Sequence, residues 1–179
     1  VNALCEAGFR LSEDPSEIDI VIASYDRGFD YRKLQIAFDA LWFHKRAILV
    51  QTNPDKYCPF PGGRGEPDCA AIVAAIEACT GVKCQANLGK PDPIMATEAL
   101  HGLGIDPAEV LMVGDRLATD VSMGRLAGMS TALVLTGDST LADLEAVPDA
   151  ERPTFVLDTL DQLIPPSVWD DSASAVSRH

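Results

Sequence analysis

The sequence is short of basic residues, of aromatics and of long apolar runs. Fourteen Lys and Arg stand against 27 Asp and Glu, a net charge of −13 with the three His neutral. A basic face is what nucleic-acid binding requires, so that class of partner is excluded. Local cations or a metal can still hold a small phosphorylated molecule against such a field. No apolar run approaches the roughly 18 residues that span a bilayer, so no membrane partner is expected. Residues 1–10 carry neither a basic start nor a long apolar stretch, and no signal peptide is read there. Cysteines number five, an odd count, with no Cys-x-x-Cys pair. Reduced thiols in a cytoplasmic protein fit that pattern better than a disulfide framework or a zinc site.

What is present is globular. Apolar residues make up 47% of the 179 positions and charged residues 23%, enough for a packed core. Short apolar runs predict strands at Ile18–Ala23, Ala47–Val50, Val110–Val113, Thr131–Leu135 and Phe155–Leu157. Helical spacing predicts helices at Tyr31–His44, with Leu34, Phe38, Leu41 and Trp42 inward, and at Asp68–Cys79, closed by Gly81. Further helices are expected at Pro93–Leu103, with Ile94 and Leu100 inward, at Thr119–Ala127, and in short form at Leu141–Ala146 and Thr159–Leu163. The proline- and glycine-rich stretch Cys58–Pro67 reads as a loop. Alternation of helix and strand after Lys90 implies an α/β fold with a parallel sheet and helices on its faces. The first half is mixed α and β and reads as a separate layer, with a boundary near Val82–Gly89. Pro165–His179 loses periodicity and reads as a loose tail.

The chemistry concentrates in Leu88-Gly89-Lys90-Pro91-Asp92-Pro93 and in Gly114-Asp115-Arg116-Leu117-Ala118-Thr119-Asp120. Asp115 follows a strand and a glycine, which places it where open α/β sheets bind ligands. Asp120 falls at the start of the next helix, where it can cap backbone N–H groups beside the same crevice. Two carboxylates at a strand end suit a hard divalent cation such as Mg²⁺. Lys90 can supply a fixed positive charge beside a phosphoryl group. Taken singly, each element has a plainer reading: Gly-Asp is a common turn, Asp120 an N-cap, Gly-Lys-Pro an exposed turn. Gly102-Leu-Gly104 and Gly62-Gly-Arg-Gly65 lack the residues that would complete a nucleotide-binding motif.

The combination resembles the haloacid dehalogenase-like (HAD) phosphatases. Gly89-Lys90-Pro91 is similar to that superfamily's third motif, and Gly114-Asp115-x-x-x-Thr119-Asp120 to its fourth. Leu133-Val134-Leu135-Thr136-Gly137 followed by Ser139-Thr140 is similar to the next strand and loop of subfamily IIA, the NagD-like and p-nitrophenyl phosphatase group. Val21–Leu34 and Leu49–Asp55 resemble segments of that group's cap. The resemblance implies an α/β cap over residues 1–84, the C-terminal half of a Rossmann-like core over 85–164, and the tail at 165–179. It implies a Mg²⁺-dependent phosphomonoester hydrolase acting on a phosphorylated small molecule such as a sugar phosphate. Lys90, Asp115 and Asp120 would be catalytic, with Asp115 and Asp120 at the metal: Asp115 as its ligand, Asp120 orienting it through water or hydrogen-bonded to Lys90. Thr52, Asn53 and Asp55 would face the substrate.

One part of the pattern is not matched. The family's nucleophile lies in an N-terminal Asp-x-Asp-Gly motif, followed by a Ser or Thr motif. Neither Tyr25-Asp26-Arg27-Gly28 nor Phe38-Asp39-Ala40 fits it. The resemblance therefore implies that the chain begins inside the cap and is inactive by itself. The alternative is a noncatalytic module that pairs through an exposed sheet edge, as a homodimer or with the missing core segment.

Overall fold

The computed structural model describes residues 2–165 and Val168, so the expected tail lies almost wholly outside the described residues. The chain divides into two compact units, Val1–Gly89 and Lys90–His179. Both are α/β.

The first unit opens with a short helix, α1 (Asn2–Glu6). Its sheet orders β1 (Ile20–Ala23), β2 (Ile48–Gln51) and β5 (Ala86–Asn87) as β1-β2-β5, all parallel. Between β1 and β2 lies α2 (Tyr31–Phe38), whose N-cap Asp30 accepts from the Lys33 N–H. Ahead of β5 lies α3 (Cys69–Thr80), ended by Gly81 at φ 71°. A left-handed residue there favours glycine, as the sequence indicated. Ala23, Ala37, Leu41, Leu49, Cys69, Val73 and Ile76 form the core between sheet and helices.

Two expectations for this unit need correction. The segment read as a loop is an antiparallel hairpin, β3 (Tyr57–Phe60) and β4 (Arg64–Pro67). Prolines argue against a central strand, but in a two-stranded ribbon their missing N–H groups can face outward. Gly62 and Gly63, at φ 79° and 74°, make the turn. The helix expected to continue to His44 instead widens after α2 into a π-helical turn, Asp39–Phe43. The wider turn shifts the inward face, so Ala40 and Leu41 are buried. Trp42 is left half exposed, stacked on Phe38 at 5.1 Å.

The second unit alternates helix and strand: α4 (Ile94–Leu100), β6 (Leu111–Gly114), α5 (Ser122–Leu126), β7 (Ser130–Val134), α6 (Leu141–Ala146) and β8 (Phe155–Leu157). Its sheet is parallel, ordered β6-β7-β8. Central β7 is the most buried strand, and Thr131, Ala132 and Leu133 are fully enclosed. A π-helical turn, Leu117–Val121, leads from β6 into α5, starting two residues earlier than the expected helix. On α4 it is Ala96 that is buried, while Ile94 is exposed, contrary to the inward placing of Ile94. The last expected helix is a 3-10 turn, Leu160–Leu163. Among the described residues no helix is long and apolar enough to cross a membrane.

Helix α6 starts with a reciprocal capping box between Thr140 and Asp143. The Thr140 hydroxyl and N–H both donate to Asp143, and they hold its carboxyl below the usual aspartate value. A lowered folded pKa favours the charged form, so the cap stabilises fully above the unfolded aspartate value. That contribution is lost as the pH falls through the lowered folded value. A carboxyl-carbon NMR titration should place the Asp143 midpoint below the ordinary aspartate value, and Thr140→Ala should move it back up.

Candidate active site

The candidate catalytic residues sit in the second unit, at the carboxyl end of β6. Strand β6 ends at Gly114, and Asp115 is the next residue out. A Cβ on Gly114 would lie 2.5 Å from Asp120 Oδ2, so only glycine lets the strand end meet the Asp120 carboxylate. The Leu117–Val121 turn brings Asp120 back beneath this strand end. There its Oδ2 accepts the Arg116 N–H at 3.1 Å. Its Oδ1 accepts from Lys90 Nζ at 2.6 Å, joining residues 30 apart in sequence. The Asp120 side chain is 5% exposed and that of Lys90 41%. The pair therefore has a dry carboxylate and a half-wet ammonium. The peptide bond from Lys90 to Pro91 is cis.

Asp115 is held differently. Its Oδ2 accepts the Asp138 N–H at 2.9 Å, and its backbone oxygen accepts the Ser139 N–H at 3.0 Å. Ser139 Oγ in turn accepts the Leu117 N–H at 3.1 Å. Arg116 Nε lies 3.3 Å from Asp138 Oδ2. The loop after β7 is thus folded onto the Asp115 side of the site. Thr119 Oγ1 is buried with no hydrogen-bond partner among the described residues.

Asp120 does accept a backbone N–H, but that of Arg116 at the N-cap position and not one inside the following helix. Its carboxylate turns back to Arg116, ahead of the helical turn, and to Lys90. No group of three or more His, Cys, Asp or Glu placed to hold a metal occurs among the described residues. Mg²⁺ asks for less, since one or two carboxylates with water and phosphate oxygens usually complete its octahedron. The hard oxygen donors of Asp115 fit that requirement. Asp120 fits it poorly as a direct ligand, because the Lys90 ammonium already occupies Oδ1 and repels a second cation.

The residues expected to face substrate lie in the first unit, just past β2. Thr52 Oγ1 donates to Ser24 Oγ at 2.9 Å, and the Thr52 N–H to the Ala23 oxygen at 3.0 Å. Asn53 Oδ1 accepts the Asp55 N–H at 2.9 Å, an Asx turn that engages the side chain locally. The Asp55 oxygen accepts the Ala70 N–H near the start of α3. A concavity of about 370 Å³ in this unit is lined by Arg27, Phe29, Glu66 and neighbours, and none of Thr52, Asn53 and Asp55 lines it. Glu66 on β4 ties the hairpin down by accepting from Arg27 Nε at 2.9 Å and from the Tyr25 hydroxyl. No local pattern signals this tie, because it spans about forty residues.

Comparisons with known proteins give the family and the fold. The HAD-hydrolase-like family model matches residues 87–163. Human chronophin is 38% identical over 147 residues, covering 78% of this chain and 49% of chronophin. Acid sugar phosphatase of Staphylococcus aureus is 41% identical over 143 residues, covering 80% of this chain and 53% of the relative. Among solved structures, 4-nitrophenylphosphatase from Thermotoga maritima superimposes with a TM-score of 0.79 at 37% identity. That match covers 90% of this chain and 60% of the other. NagD from Escherichia coli K-12 gives 0.75 at 31% identity, covering 88% of this chain and 59% of NagD. The chain belongs to the HAD-like hydrolases, in subfamily IIA. It spans about half the length of the curated relatives it matches.

Proposed function

We propose that the protein is a Mg²⁺-dependent phosphomonoester hydrolase acting on a small phosphorylated molecule, and that this chain supplies its cation-holding and charge-balancing side. The observation that carries this reading is the Lys90–Asp120 pair beside Asp115 on one strand end. Relatives named as phosphatases support it. Asp115 would hold Mg²⁺, which when bound polarises a phosphoryl oxygen. Asp120 orients Lys90 instead of ligating the metal. Lys90 then presents a compact positive charge to the charge that builds on the transferring group. Thr52, Asn53 and Asp55 are proposed to contact substrate, and the five free cysteines fit a reducing, cytoplasmic setting.

In-line attack on phosphorus needs a nucleophile, which we assign to an Asp-x-Asp-Gly segment outside this chain. Two observations support completion by a further segment. Strand β6 pairs on one side only, with β7, among the described residues. Thr119 Oγ1 is buried and unpaired among them. The β6 edge also supports the second reading, a module whose role is to pair with another chain, including a second copy. The 179-residue chain alone is expected to show no p-nitrophenyl phosphate turnover with or without Mg²⁺. Mg²⁺-dependent turnover that Asp115→Asn abolishes would show that a nucleophile lies within the chain and would overturn the assignment.

A further inference from the structure

We propose that the loop Gly137–Ser139 is the positioning element that aims the Asp115 carboxylate at its cation, with Gly137 as the residue that permits the approach. The proposal rests on the reading of Asp115 as the cation's ligand and goes beyond it. Three bonds tie this loop to the site. The Asp138 N–H donates to Asp115 Oδ2 at 2.9 Å, the Ser139 N–H donates to the Asp115 backbone oxygen at 3.0 Å, and Ser139 Oγ accepts the Leu117 N–H at 3.1 Å. The first fixes the rotation of the carboxylate and occupies one oxygen. The other two fix the backbone on either side of Arg116. An outer partner of this kind orients a ligating carboxylate and keeps its second oxygen free for the metal.

Gly137 is required for space and not for backbone conformation. It is not among the glycines with positive φ. A Cβ there would lie 2.5 Å from Asp115 Cγ and closer still to Asp115 Cβ and Oδ2. Gly137→Ala therefore displaces the Asp115 side chain or the loop without imposing a left-handed residue. Ser139→Ala is the milder variant: it removes one acceptor and leaves the loop backbone intact.

The test measures Mn²⁺ binding to the 179-residue chain by electron paramagnetic resonance, with hydrogen exchange at the Asp138 amide as a readout independent of metal and of activity. The wild type should bind Mn²⁺ and protect the Asp138 amide. Gly137→Ala should weaken Mn²⁺ binding by about tenfold and expose that amide, and Ser139→Ala should weaken binding by about threefold, with both variants folded by circular dichroism. If Gly137→Ala and Ser139→Ala bind Mn²⁺ as the wild type does while Asp115→Asn does not bind, the positioning role is overturned and the cation reading stands. If the wild type binds no Mn²⁺, or Asp115→Asn binds it unchanged, the cation reading falls and the proposal with it. An unprotected Asp138 amide in the wild type overturns the positioning role whatever the metal data show.

Discussion

Lys90→Met is expected to destabilise the second unit by about 2 kcal/mol and, in the complete enzyme, to reduce turnover by roughly a hundredfold or more. The stability figure follows from what is left behind. Asp120 would keep the Arg116 N–H but lose the ammonium on its other oxygen, while its side chain stays 5% exposed. Removing one member of a fully buried pair costs about 3–5 kcal/mol. Lys90 is 41% exposed, so water already screens part of that interaction and the lower figure applies. Removing both charges, in Lys90→Met with Asp120→Leu, should recover part of the stability, since no uncompensated carboxylate then remains. It should recover none of the turnover, because the positive charge facing the phosphoryl group is still absent. Urea unfolding and steady-state kinetics on the two variants separate these effects. Equal loss of stability in the single and double variants would show that Asp120 is not the partner that makes Lys90 matter.

Gly124→Val should cost about 3 kcal/mol, the largest effect expected from a single residue outside the charged site. Gly124 lies on α5 where the helix crosses β6 and β7. A Cβ there would stand 2.6 Å from Thr131 Cγ2 and 2.7 Å from Met112 Cβ. Neither neighbour can yield cheaply. Thr131 is fully buried, and it exchanges hydrogen bonds with Thr154 at 3.1 and 3.2 Å. The Met112 atom is next to the strand backbone. Gly124→Ala should cost less, because better helix propensity returns about 1 kcal/mol. Thermal unfolding of both variants checks the order. A Val variant as stable as the wild type would mean that the helix rides further from the sheet.

Five of the six strands in the two parallel sheets were legible because each is a short apolar run between polar or turn residues; the two-residue β5, Ala86–Asn87, was missed and lies where a domain boundary was read. β7 is the clearest, with Ala132, Leu133 and Val134 in succession. Tertiary context decided the rest. The β3–β4 hairpin was hidden because proline and glycine carry loop statistics, and a ribbon with outward prolines escapes them. Trp42 was placed inward because a 3.6-residue period cannot foresee the π-helical turn that shifts it. Taken singly, Asp120 reads as an N-cap because its nearest sequence neighbours are helical. Its partner Lys90 is 30 positions away, and only motif likeness linked the two. The pattern Thr136-Gly137 with Ser139-Thr140 was visible as a likeness, but its contact with Asp115 needs coordinates.

The proposed function rests on Asp115 holding the metal of a phosphomonoesterase whose nucleophile lies in a segment outside this chain. The most direct measurement is p-nitrophenyl phosphate hydrolysis by a polypeptide that joins this chain to an upstream core half carrying Asp-x-Asp-Gly, with and without Mg²⁺, beside its Asp115→Asn variant. Mg²⁺-dependent turnover is expected, falling about a thousandfold in the variant, the loss of several kcal/mol of transition-state stabilisation. Undiminished turnover in Asp115→Asn, or turnover indifferent to Mg²⁺, would contradict that assignment.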